Sequence, residues 1–542
     1  MLIDDRRPQI FPVLTPPQLQ VALRFASGPP TRFSPAEKVF DVGERNANVW
    51  LVIEGGITAS RRDGLGRESV ITVCGPRQFS GEVSEVGGQA TLASGYAGPE
   101  GCVAYPFDPP HLRALIIGSA EIGEMMMRAF ILRRAALLES GGVGSVILGN
   151  VGSPDSVRLL GFHSRNGYPH SLIDVDSAEG RTLVRRLAVD VNDLPILICP
   201  NGALLRHPSN SDAGVGLGIT PSLQSGAEFD VVIVGAGPAG LAAAVYAASE
   251  GLSVLILDSR SYGGQAGTSA RIENYLGFPT GISGQELAGR AFVQALKFGA
   301  QIVLPVSVVD LDCSHPPLHR VGLDNGISVY GRTIVIASGA RYRRPEIENL
   351  ETFEGASVSY WATPIEANLC ETRDIVIVGG GNSAGQAAAF LAPHVRRLYL
   401  VVRATGLDVS MSRYLIERVA AIPNADLMPS TVVTEISGSA GGAMEYVTTT
   451  CRQSGRQRRV DAQHMFLFIG AEPNSRWLDR RITLDKRGFV LTGQTTRLPL
   501  ETSSPGVFAI GDIRAGSTKR VAAAVGEGAA VVAQIHSVLA TA

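Results

Sequence analysis

Residues Val231–Gly240 read VVIVGAGPAG, and residues Ile375–Gln386 read IVIVGGGNSAGQ. In the first stretch, Phe229 to Val234 is apolar on both faces, as a parallel strand covered by helices must be, and Leu241 to Ser249 continues with Ala-rich helical character. The order is strand, turn, helix. Gly235 permits the tight turn and Gly237 lets a pyrophosphate approach the backbone. Gly240, after Pro238 and Ala239, lets helix and strand pack closely, and the unpaired N–H groups of the helix start face the phosphates. A second strand, Leu252 to Leu257, ends at Asp258, roughly twenty residues on, where an acid accepts a hydrogen bond from a ribose hydroxyl. Two such stretches in one chain imply two dinucleotides and electron transfer between them.

The chain has 542 residues, enough for three or four domains. Its 48 basic and 50 acidic residues leave a net charge of −2, which argues against nucleic acid or an anionic membrane as partner. No 18-residue run is free of charged and polar residues, and the N-terminus MLIDDRRPQI lacks the apolar core of a signal peptide, so a soluble, cytoplasmic protein is expected. The six cysteines, Cys74, Cys102, Cys199, Cys313, Cys370 and Cys451, contain no Cys-x-x-Cys. No metal site and no local redox pair is expected from them.

Beyond Asp258 the segment SYGGQAGTSARIENYLGFP supplies Gly263, Gly264, Gln265 and then Asn274. Further on, the strand Thr333 to Ala337 ends at Ser338, Gly339 and Ala340, and GVFAIGDIRAGSTKRVAAAVGEG carries Gly511 and Asp512. In this series residues 228–542 resemble the low-molecular-weight thioredoxin reductases. The resemblance implies an α/β fold of two Rossmann-like domains, the NAD(P) domain (346–460) inserted into an FAD domain (228–345 and 461–542). It also implies homodimerisation. It assigns the first glycine stretch, GGQ, Asn274, Ser338–Ala340 and the Gly511–Asp512 pair to FAD. A helix starting near Lys519 would point its N-terminus at the flavin, with Lys519 and Arg520 adding positive charge there, Arg520 standing where glutamine is common.

The second stretch forms GxGxxxG from Gly379, Gly381 and Gly385, with Asn382, Ser383 and Ala384 between, and the strand after it ends at Arg403 with no acid. An acid there would repel a 2′-phosphate, whereas Arg403 can pair with it, so NADPH is expected over NADH. The family's second and third basic residues are missing from Val402-Arg403-Ala404, and Arg413 is the candidate to replace them. The family's redox Cys-Ala-Thr-Cys is missing too. The matching stretch SYWATPIEA holds Trp361 and Pro364 at the cysteine positions, which makes both candidate flavin-facing residues, and Cys370 is the nearest remaining thiol.

Two modules precede this half. From Lys38 to Thr91, short strands punctuated by glycine suggest a small β-barrel within residues 1–140, followed by a helix from Ala120 to Leu138. The pattern resembles the cyclic-nucleotide-binding domains, with Phe79–Glu82 through Thr91 as the phosphate cassette. That resemblance assigns Glu82 to a ribose, but Gln89 stands where the family has the arginine that neutralises the phosphate. A structural or interaction role, with a protein partner, is therefore expected. Residues 141–218 have an αβ pattern that resembles the thioredoxin fold, with Pro195 at its cis-proline and Asn201-Gly202 in a hairpin turn. Ser153-Pro154-Asp155-Ser156 occupies the redox motif, and two hydroxyls cannot exchange with a disulfide. Residues 219–227 read as a linker.

The function expected is an FAD-dependent NAD(P)H oxidoreductase that hands electrons directly to a small acceptor such as a quinone, oxygen or a small disulfide. Two others stay open: a thioredoxin-disulfide reductase using an unusual thiol route, and a redox-sensing scaffold with little turnover.

Overall fold

The protein is described by a computed structural model covering residues 6–139, 144–439, 443–478, 481–494 and 498–540. The first sheet is built on two 14-residue strands, Val49–Arg62 and Ser94–Phe107, paired antiparallel along their length. Thr31–Phe33 and Lys38–Phe40 pair with the second of them and Glu68–Cys74 with the first. The expected barrel is not what the structure has: two of the five strands are long, the other three have three to seven residues, and the pairing path among the described residues stays open. Both long strands bend where their register shifts beside Gly55. Gly55 has φ +69°, and a Cβ there would lie 2.1 Å from the carbonyl oxygen of Gly101, so the strands cross too closely for any side chain.

The helix Ala120–Glu139 follows, and its methionine Met126 is buried beside Phe130 in a core that continues into the flavin half through Tyr262, Phe292 and Leu296. From this helix Arg134 reaches Glu82, donating Nε to its Oε2 at 2.8 Å and Nη2 to its Oε1 at 3.0 Å. Both carboxylate oxygens of the expected ribose contact are thus held by the chain's own arginine. Gln89, at the family's arginine position, uses its backbone N–H on the carbonyl of Ser84.

Glu85 is buried next to Glu82 and accepts from the Glu82 N–H at 2.8 Å. Burial, and then the Glu82 charge, push its carboxyl up from the ordinary 4.5 to about 8. The folded chain therefore keeps a proton that the unfolded chain loses near its ordinary value, and stability falls as pH rises between the two. The thermal midpoint is expected to decline from pH 5 to pH 8 and to level off above it. Glu85→Gln should flatten that decline in scanning calorimetry.

Residues 144–218 hold a four-stranded sheet in the order His170–Asp174, Ser145–Gly149, Ile196–Ile198, Leu204–Arg206, the first pair parallel and the others antiparallel. The Leu194–Pro195 peptide is cis. Ser153 caps the helix Pro154–Arg165, its oxygen accepting from Ser156 N, and its hydroxyl also pairs with Ser156 Oγ at 2.9 Å.

In the flavin half, Gln301–Val303, Val254–Leu257, Glu228–Val234 and Ser328–Ile336 lie side by side and parallel. The last strand is long enough to serve two further neighbours on its other edge. Its first part pairs antiparallel with His319–Leu323 and its end pairs parallel with Val507–Ala509. The helix Val521–Leu539 is apolar and long enough to cross a membrane by composition, yet it packs on Pro238–Ser249. At Gly528 a Cβ would come 2.5 Å from the carbonyl oxygen of Ala239, a contact that marks it as a core helix of this domain.

The second dinucleotide domain is a parallel sheet in the order Val358–Ser359, His464–Leu467, Asp374–Val378, Arg397–Val401, Ala425–Met428, with a three-stranded antiparallel sheet beside it. His464–Leu467 thus belongs to this domain and not to the second flavin segment, which moves that boundary from 460 to beyond Leu467. The two crossings between domains, Ala340–Tyr342 and Ala471–Pro473, pair antiparallel with each other.

Candidate flavin and nicotinamide cleft

One cleft of about 1910 Å³ runs between the dinucleotide domains and reaches the helix Pro154–Arg165. Its floor is the first glycine turn. Gly235 sits at φ +115°, with a Cβ position only 2.2 Å from the carbonyl oxygen of Ala337, and a Cβ at Gly240 would lie 1.9 Å from the Gly235 oxygen. These two glycines let backbone pack on backbone. Gly237 differs: nothing lies nearer to its Cβ position than Gly264 Cα at 4.0 Å. It caps the helix Pro238–Ser249 without a side chain, so the helix N–H groups open on the cleft.

The GGQ turn closes over that opening. Gly263 donates its N–H to Ala236 O at 2.8 Å, and a Cβ on Gly264 (φ +53°) would be 3.1 Å from Gly237 Cα. Gln265 Nε2 donates to Ala340 O at 2.6 Å. The two crossings are tied by Ser338 Oγ donating to Asn474 O and Asn474 Nδ2 to Ser338 O, both at 2.9 Å. Gly339, Ala340, Asn274 and Ala239 also line the cleft. The open space before a helix start, roofed by a second glycine turn, fits a diphosphate.

Asp258 lines the cleft, but its expected partner is not its present one. Its Oδ2 accepts from Ala236 N at 2.9 Å and its Oδ1 from Arg260 N at 2.8 Å and Ser261 N at 3.2 Å, while burial raises its pKa. A carboxylate has about four acceptor sites, so room for a ribose hydroxyl remains beside these three bonds. Asp512 is also on the cleft, its carboxyl pushed up by burial. Sequence reasoning missed how its neighbour is held: Gly511 N donates to Glu527 Oε2 at 2.6 Å, and Arg514 Nη2 grips Glu527 Oε1 at 2.6 Å. The helix expected near Lys519 begins at Val521 with Arg520 as its cap. Lys519 and Arg520 both line the cleft, and Lys519 Nζ donates to Asp512 O at 2.6 Å.

In the second motif, Gly379 has φ +146° with a Cβ position 2.3 Å from Phe468 O, and the Cβ position of Gly385 is 2.9 Å from Met411 Sδ. Gly381 caps the helix Asn382–Leu391; Asn382 and Ser383 line the cleft, whereas Ala384 is buried in the core. Asn382 Oδ1 accepts from Ser412 N at 2.7 Å. Arg403 and Arg413, expected at the 2′-phosphate, do not line this cleft. Arg413 is 93% exposed and bound to Glu417 at 3.1 Å; it lies one helical turn from that acid, which competes for its charge.

Trp361 lines the cleft and Pro364 does not. Pro364 instead opens the helix Pro364–Leu369, where a missing N–H costs nothing. Trp361 is fixed by Nε1 donating to Glu366 Oε1 at 2.8 Å, and Glu366 also accepts from the N–H and hydroxyl of Thr363. That anchor was legible as Thr-x-x-Glu, the capping-box pattern. Among the described residues no cysteine lines the cleft. Cys370 is buried in the core of the second dinucleotide domain, and burial pushes its thiol up to about 12.

The family described as pyridine nucleotide-disulphide oxidoreductase matches residues 229–528, more than half of the chain. The chain belongs to this family. Among curated relatives of this oxidoreductase, thioredoxin reductase of Mycolicibacterium smegmatis is 33% identical over 303 residues, covering 56% of this chain and 93% of the relative. NADPH-dependent thioredoxin reductase 3 of Arabidopsis thaliana is 30% identical over 340 residues, covering 60% of this chain and 63% of the relative. Among solved structures, thioredoxin reductase of T. acidophilum superposes with a TM-score of 0.53 at 29% identity, covering 57% of this chain and 98% of that one. The oxidoreductase is an FAD-dependent enzyme that takes NAD(P)H, and FAD and NADPH are its cofactors. The cradle at Gly237 and Gly264 fits the first of them.

Proposed function

We propose that this enzyme oxidises NADPH and delivers the electrons directly to a small acceptor, a quinone, oxygen or a small disulfide, with no thiol of its own in between. One observation carries this reading: the position that holds a redox cysteine in the resembled reductases holds Trp361, and no thiol reaches the cleft among the described residues. Bound FAD would supply the two-electron carrier. The protein's part is to hold the cofactor and acceptor and to exclude water, with the cradle at Gly237 on one side and the walls around Trp361 on the other. NADPH over NADH rests on exposed Arg403, which stands two residues after the strand Arg397–Val401 with no acid beside it.

The N-terminal modules support a small acceptor over a protein one. The 144–218 sheet has the order and directions of a thioredoxin fold, and we read it as an inert copy. Its helix Pro154–Arg165 lines the cleft with Pro154, Arg158 and Arg165, so the mouth that a protein disulfide would need is already covered. The first sheet, with Glu82 held by Arg134, is read as a structural module and not as a nucleotide sensor.

Anaerobic titration of the holoenzyme with NADPH is the test. One equivalent is expected to bleach the flavin fully with no further uptake, and Cys370→Ala should leave turnover within two-fold. Uptake of a second equivalent, lost in Cys370→Ala, would support the thiol route instead.

A further inference from the structure

Three domains meet at Trp361. Tyr342, from the flavin half, places its ring 6.5 Å from that of Trp361 and stacks 6.0 Å from Tyr360. From the thioredoxin-like module, the Arg165 guanidinium lies over the Trp361 ring at 5.6 Å. Gly161, one turn earlier, makes room for it, since a Cβ there would come 2.8 Å from Arg165 Nη1. The helix end is pinned to the flavin half, Gln285 Nε2 donating to Arg165 O at 2.9 Å and Asn166 Nδ2 to Arg260 O at 3.4 Å. This arginine is therefore held at the cleft.

Most arginines around the cleft are matched with acids: Arg158 with Asp155, Arg341 with Glu472, Arg344 with Glu354, Arg418 with Glu273. The guanidinium groups of Arg165 and Arg260 make no hydrogen bond or ion pair among the described residues, although both line the cleft. Arg165 is half-buried; burial, and then the charge of Arg260, disfavour its cationic form. An arginine cannot shed its proton to relieve that repulsion. Glu366, whose charge acts on Arg165, is held by Trp361 and Thr363, and Asp258, whose charge acts on Arg260, is held by the backbone N–H groups of Ala236, Arg260 and Ser261. Neither guanidinium is bonded to an anion, and what stands beside the pair is an aromatic wall.

We propose that Arg165 and Arg260, with Trp361 and Tyr342, form the acceptor site, and that the acceptor is a small planar quinone carrying a carboxylate or sulfonate. The inference rests on the direct-transfer reading above. The ring lies along the aromatic wall and the anionic group meets the guanidinium pair. The overall reaction is balanced: NADPH and one proton from solvent reduce the quinone to the hydroquinone, giving NADP⁺. A module without redox chemistry of its own thereby contributes the residue that selects the substrate.

The test compares 1,4-naphthoquinone-2-sulfonate with 2-methyl-1,4-naphthoquinone on the holoenzyme, wild type, Arg165→Gln and Arg165→Lys. The wild type is expected to prefer the sulfonate in kcat/KM. Arg165→Gln should lower the sulfonate-to-methyl ratio at least ten-fold through KM, and Arg165→Lys should restore part of it. Equal loss for both quinones, no change in the ratio, or loss of FAD or slower flavin bleaching by NADPH would overturn the site, the last two by placing Arg165 on a cofactor. If the wild type turns over neither quinone, the quinone acceptor is overturned, while direct transfer to oxygen or a small disulfide still stands or falls with the NADPH titration. Equilibrium dialysis of the sulfonate then decides the site: binding lost in Arg165→Gln upholds it, and absence of binding overturns it.

Discussion

Replacing Gly237 with alanine is expected to give a folded protein that purifies without its yellow colour. The glycine has φ −73° and ψ −178°, a conformation any residue adopts, and a methyl group there meets nothing nearer than 4.0 Å. The fold has no reason to change. The methyl nevertheless fills the approach to the N–H groups at the start of Pro238–Ser249, where a diphosphate must come close to the backbone. FAD affinity should fall at least about 100-fold, about 2.7 kcal/mol, read from the flavin absorbance per chain and from calorimetric titration. Its melting point should match that of flavin-stripped wild type, since lost ligand alone lowers apparent stability. Gly240→Ala should behave differently, because its Cβ would lie 1.9 Å from a backbone oxygen; it should fail to fold stably. A yellow Gly237→Ala protein at one FAD per chain would show that the diphosphate lies elsewhere.

Arg134→Ala should be the most destabilising change in the N-terminal half. The arginine holds both oxygens of buried Glu82, donates to Ser84 Oγ at 2.8 Å and reaches the carbonyl of Gly167 in the next module at 3.1 Å. Removing it leaves the buried Glu82 carboxylate without its counter-charge, a loss of about 3–5 kcal/mol. Removing both partners, as in Arg134→Met with Glu82→Leu, should recover most of that, because no buried charge is then left alone. Denaturant unfolding of the two variants measures the difference. Because Arg134 ties the first module to the second, Arg134→Ala should also speed proteolysis in residues 144–218. An Arg134→Ala protein as stable as wild type would show that the Glu82 carboxylate is not held by this arginine.

The flavin and nicotinamide domains were legible in the sequence because a dinucleotide turn is a local device. Gly235, Gly237, Gly240, Gly263 and Gly264 act through backbone room within a few residues, and that requirement is written in the residue type. The proposed loss of the redox cysteines rests on residue type in the same way: a tryptophan and a proline cannot form a disulfide wherever they sit. Pro364 shows the limit. It stands only three residues after Trp361, yet one begins a helix and the other faces the cleft, which depends on how the helix Pro364–Leu369 is turned. Arg403 and Arg413 were placed by spacing alone, and spacing does not say that Arg413 turns outward to Glu417.

The sequence alone thus determined which cofactors this chain is built to hold, since phosphate cradles demand glycine at set intervals. Only the tertiary structure decided what surrounds them. Glu82 meets Arg134 across 52 residues, and Arg165 reaches Trp361 from a separate module. Contacts of that kind arise from packing between domains, where any residue of suitable charge and shape can serve, so no local pattern announces them. In VVIVGAGPAG the chemistry is carried by backbone and is visible in one line of sequence; around Trp361 it is carried by side chains that meet only after three domains have docked.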